Sequence, residues 1–89
     1  MQPQPTVIEG TTHHGKPCRV VDNTGEIDAQ ELRVVLEALI AERRFGLGGL
    51  SAAGGNTITI GEPVLSHAQF GDKLYRLLLF PYELRIESF

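Results

Sequence analysis

Four side chains in this sequence carry donor atoms suited to metal or nucleophilic chemistry: His13, His14 and Cys18 within six residues, and His67 further along. Imidazole nitrogen and thiolate sulfur are the ligands zinc prefers. The spacing matches no zinc pattern, and adjacent histidines on a strand point to opposite faces, so only one of the pair can easily join Cys18. The expectation is an ordinary solvated turn with no cofactor and no metal, and these four remain the weak candidates for one. Nucleophilic catalysis would require Cys18 to meet a histidine and an orienting acid, for example His67 and Asp72. Arg19 is the sequence neighbour able to depress the thiol pKa. A strand cysteine followed by Arg19 and Val20 reads more simply as a small core residue.

Other chemistry fares no better. Gly46 to Asn56 holds five glycines in eleven residues. A phosphate-binding loop follows a strand and opens a helix, whereas this stretch follows a helix and lacks the Gly-Lys-Ser/Thr ending. The paired carboxylates Glu26 with Asp28 and Glu83 with Glu87 are explained by a helix cap and an exposed strand. Arg33 and Glu37, one helical turn apart, read as a surface pair. Tyr75 and Tyr82 could stack bases on a sheet face, but eight Lys and Arg scattered without a basic run, in a chain of net charge -3, argue against nucleic acid. No catalytic residue is assigned, and an enzyme is the weaker reading, held as a small metal-dependent or Cys/His subunit.

The elements that must position these residues are clearer. Asp28 can cap a helix and Glu31 can answer it, so a helix is predicted to begin at about Ala29. Arg43 and Arg44 suit its last turn, and Gly46 can take the left-handed C′ conformation, giving a helix over about 28–45. Leu32, Val35, Leu36, Leu39 and Ile40 form one apolar stripe, and Val34, Ala38, Ala41 and Phe45 a second beside it. Such a helix is expected to nest against a sheet, or between a sheet and a partner.

Residues 1–5 read as a frayed leader. Thr6–Thr12 and Pro17–Val21 are predicted to pair as a hairpin across His13-His14-Gly15-Lys16, and Asp22-Asn23-Thr24-Gly25 as a turn. After the glycine-rich loop, Thr57–Ile60 alternates as a strand, while Val64–Asp72 has mixed signals and reads as a loop. From Leu74 to Ile86, six of the seven even positions are apolar or aromatic, which predicts one long strand bent at Pro81. Two strands meeting at a sharp corner is the alternative. A proline in a strand points to a sheet edge, and an apolar edge needs a cover.

The fold expected is a single α+β domain over 1–89 in the order β-β-α-β-β, one principal helix packed on a mainly antiparallel sheet. An 89-residue chain buries only about 60–65% of its unfolded surface. A nearly all-round apolar helix and a two-sided strand exceed that. The function expected is therefore protein binding, as an adaptor, assembly subunit or inhibitor, including those encoded by phage or mobile elements. Self-association would run through Leu74, Leu78, Phe80, Tyr82, Leu84 and Ile86. A homo-oligomer with a protein partner in the cytoplasm follows, with no membrane, because no window reaches the roughly 18 apolar residues of a span. The single cysteine excludes an internal disulfide.

Overall fold

The computed structural model describes residues 4–46 and 63–89. Chain order is β1 (Thr6–Thr11), β2 (Pro17–Asp22), α1 (Ala29–Ala41), β3 (Val64–Phe70), β4 (Lys73–Phe80) and β5 (Glu83–Ser88). The predicted Thr57–Ile60 strand and nearly all of the glycine-rich stretch lie outside the described residues. The five strands form one sheet in the order β1-β2-β5-β4-β3. Three of its pairings are antiparallel, and β2 with β5 is parallel. The α+β reading holds, with one more described strand than the sequence suggested after the helix.

Sequence chemistry explains the first half directly. Gly15 takes a φ of +79 in the connection between β1 and β2, where Thr12 N–H donates to Lys16 O and Gly15 N–H to Thr12 O. Gly10, in β1, serves the helix instead: a Cβ there would stand 3.0 Å from Leu36 Cδ2 and 3.3 Å from Ile40 Cδ1. The bare backbone at Gly10 is what lets α1 lie down on β1 and β2.

The helix starts as predicted, with Asp28 Oδ1 accepting from Gln30 N–H. Buried Ile27 just before the cap and Leu32 at the fourth position belong to the same core, the arrangement of a hydrophobic staple. The helix ends a turn earlier than predicted. Arg44 N–H donates to Leu39 O and Arg43 N–H to Ile40 O, and Arg43 itself sits at φ +56. These are the two bonds of a Schellman cap, built on an arginine and not on Gly46. The second apolar stripe is corrected too, since Val34, Ala38 and Ala41 are exposed and only Phe45, beyond the cap, is buried.

Two further corrections concern the C-terminal half. Val64–Asp72, read as a loop, contains β3 and a two-residue turn, Gly71-Asp72, closing the β3–β4 hairpin. Gly71 has the positive φ, +63, that a II′ turn asks of its first central residue. Leu74–Ile86 is two antiparallel strands, with Phe80 opposite Glu83 and Pro81-Tyr82 between them. Neither Pro81 nor Tyr82 has a positive φ, and the fixed φ of proline suits the first central position of an ordinary turn. Both strands are interior to the sheet, so the proline marks a reversal and not an edge.

The reversal changes which side chains share a face. Tyr75 and Leu79 of β4, Leu84 and Ile86 of β5, and Cys18 and Val20 of β2 are buried with Leu32 and Leu36 in one core. Burying a leucine such as Leu32 stabilises by roughly 2 kcal/mol in transfer free energy. Deleting one to alanine costs about 2–5 kcal/mol once the cavity is included.

Candidate functional site

The predicted chemical residues do not converge. His13 and His14 are exposed in the β1–β2 connection, Cys18 is buried in β2, and His67 is on β3, with β5 and β4 between them. Among the described residues no three of His, Cys, Asp and Glu are grouped to hold a metal ion. Asp72 follows β3 at the far side from Cys18, so the Cys18, His67 and Asp72 combination is not assembled. Burial pushes the Cys18 thiol above its ordinary pKa, and Arg19, pointing to the other face, is engaged by Glu83. Tyr75 is buried with its hydroxyl donated to Glu26, which leaves it no base-stacking surface.

A buried carboxylate that sequence reasoning passed over as turn chemistry fixes the segment between β2 and the helix. Asp22 is fully buried. Its Oδ1 accepts from Thr24 N–H at 2.9 Å and Thr24 Oγ1–H at 2.5 Å, and its Oδ2 from Ile27 N–H at 3.0 Å. Next to it, Glu26 Oε1 accepts from Lys73 Nζ at 2.9 Å and Tyr75 OH at 3.0 Å, tying this segment to β4. The Lys73 bond, then the Tyr75 bond, hold the Glu26 carboxyl below its ordinary pKa. Among the described residues no buried side-chain nitrogen or oxygen lacks a hydrogen-bond partner, and these bonds all lie within the chain, which makes the cluster a structural knot.

The sheet surface opposite the helix offers more to a partner. Strand pairing places Leu65, Leu78, Arg85, Val21 and Val7 in one row across all five strands. The neighbouring row is Phe80, Glu83, Arg19 and Glu9. Glu83 accepts from both Arg19 and Arg85, and the Arg85 guanidinium lies 4.6 Å from the Phe80 ring centroid. Burial would raise the Glu83 pKa, but the bonds from Arg85 and Arg19 outweigh it and the carboxyl sits below its ordinary value. On the β3 side, Phe89 packs edge-on to His67, with Arg76 5.9 Å above its ring. Leu65, Leu78, Phe89, His67 and Arg76 together line an open groove of about 620 Å³.

The six residues predicted as an interface divide accordingly. Leu74, Leu78 and Phe80 belong to this helix-free face, with Leu74 exposed and the other two half-buried. Leu84 and Ile86 are inside the core, and Tyr82 is exposed in the β4–β5 turn. The residues that sequence reasoning missed are Leu65 and Phe89, both 69% exposed. The dipeptide Gly71-Asp72 was the available signal, because it marks a hairpin and hence a strand carrying Leu65.

The chain matches no protein-family model, no curated protein and no solved structure. Among the described residues, no helix is long and apolar enough to cross a membrane.

Proposed function

We propose that this chain is a protein-binding module that associates with a second copy of itself through the helix-free face of the sheet. The observation that supports this is the row of Leu65, Leu78, Arg85, Val21 and Val7, continued by Phe80 and Phe89, on a face over which no described helix lies. Apolar side chains gathered on one exposed surface mark an interaction site.

Charge favours a second copy as the occupant. Arg19, Arg76 and Arg85 on this face are matched by Glu9, Glu83 and Glu87, so the face is balanced within a chain of net charge -3. A surface carrying both signs beside apolar residues can complement itself across a two-fold axis. Five strands at about 4.8 Å spacing, six to eight residues long, give a face of roughly 24 by 23 Å. With side-chain relief, that is comparable to the ~800 Å² per partner of a standard interface. A self-associating face of this kind suits an assembly subunit, an adaptor or a small inhibitor.

Native mass spectrometry of the full chain, alongside light scattering, tests the reading. The parent is expected to be a dimer at about 100 µM, and Leu65→Asp a folded monomer, because Leu65 is exposed and contributes little to the core. A parent that is monomeric at that concentration, or a Leu65→Asp dimer as tight as the parent's, overturns it.

A further inference from the structure

Three chain reversals distant in sequence meet at one end of the sheet: the β1–β2 connection, the segment following the helix cap, and the β4–β5 turn. Gly46 N–H donates to Pro81 O at 2.6 Å and so pins the second to the third. Between them is a hollow of about 300 Å³, lined by Leu39, Ile40 and Phe45 and by His13, His14, Arg43 and Tyr82, with Thr12 and Gly46 completing its wall. Its apolar side is core-like, since Phe45 is buried and Leu39 and Ile40 are half-buried. The polar side chains on its wall are all able to donate, and among the described residues no carboxylate lines it.

We infer that this hollow is a binding site for a small monocarboxylate with an apolar body, such as a medium-chain or aryl carboxylic acid. A 300 Å³ hollow is at the small end of ligand pockets and takes a ligand of about ten heavy atoms. The apolar body lies on Leu39, Ile40 and Phe45, and the carboxylate meets Arg43, whose planar guanidinium suits a two-oxygen acceptor. Arg43 is presented from a fixed point, because its backbone is held left-handed by the cap bonds. Among the described residues, no carboxylate is within 4.0 Å of its guanidinium. The carbonyls of Ile40 and Leu39, which would repel an anion at a helix C-terminus, are covered by the Arg43 and Arg44 N–H groups. The proposal is independent of self-association, since the hollow opens at the end of the sheet beside the helix and shares no lining residue with the groove of Leu65 and Phe89.

Octanoate is the probe, with 1-octanol as the uncharged control, each titrated into the full chain and followed through backbone amide shifts. Octanoate should give saturable shifts at Thr12 to Gly15, Arg43 to Gly46 and Tyr82, with a dissociation constant on the order of 1 mM for so small a ligand. Octanol should bind about tenfold more weakly. Arg43→Asn should remove that difference while keeping the helix cap, because asparagine accepts a left-handed backbone. His14→Ala, on an exposed turn away from the cap, should weaken octanoate by about threefold through one lost donor. Unsaturated shifts at about 10 mM octanoate, ten times the expected constant, overturn the inference. So does equal binding of octanol and octanoate, or octanoate binding unchanged in both variants.

Discussion

Asp22 is where the fold should be most sensitive to a change that alters almost no volume. Asparagine in its place keeps one acceptor oxygen and substitutes an NH2 group for the other. If the oxygen stays with Thr24, whose N–H and Oγ1–H both use Oδ1, the amide nitrogen faces Ile27 N–H, donor against donor. One buried N–H is then left unsatisfied at about 1–3 kcal/mol, and two bonds to a charged group become weaker neutral ones, for a total of roughly 2–4 kcal/mol. A domain of this length has a total stability of about 4–13 kcal/mol, so Asp22→Asn removes a large share of it. The assay is urea denaturation followed by circular dichroism, with Asp72→Asn in the exposed β3–β4 turn as the control, expected within about 0.5 kcal/mol of the parent. The midpoint should fall with the slope unchanged. An Asp22→Asn stability within about 0.5 kcal/mol of that control would refute the claim that this carboxylate organises the segment between β2 and α1.

Gly10→Val should destabilise the chain by about 1–3 kcal/mol despite the better strand propensity of valine, because its side chain meets Leu36 and Ile40. A thermal midpoint equal to or above the parent's would show that the helix does not need that close approach. Glu26 has a folded-state pKa below its ordinary 4.5, so its contribution is present above the unfolded value and is lost as pH falls through the folded one. Glu26→Gln should accordingly flatten the stability profile in the acid range below about pH 4.5 relative to the parent; parallel profiles would mean that the Lys73 and Tyr75 bonds do not favour the carboxylate.

The readings that succeeded rest on short-range chemistry. Asp28 caps α1, the Leu32 and Leu36 positions face the core, Gly15 turns the first hairpin, and Cys18 is a buried apolar residue, each for reasons contained within a few residues. The helix end was misplaced because Arg43 takes a conformation that glycine usually supplies, and the bonds to Leu39 and Ile40 O compensate for it.

The C-terminal half was illegible for a different reason. β4 carries apolar residues on both faces, Leu77 and Leu79 on one and Leu74, Leu78 and Phe80 on the other, so period-two alternation could not reveal the parity change at Pro81-Tyr82. β3 is mostly exposed and has no strong pattern of its own. Local sequence thus determined that this chain makes an α+β domain with one capped helix. The strand order, the parallel β2–β5 pairing, the division of Leu78 from Leu84 onto opposite faces, and the meeting of His13, Arg43 and Tyr82 around one hollow were decided only by tertiary structure. Each depends on partners tens of residues away, and side-chain alternation names the faces of a strand without saying which neighbour each face will meet.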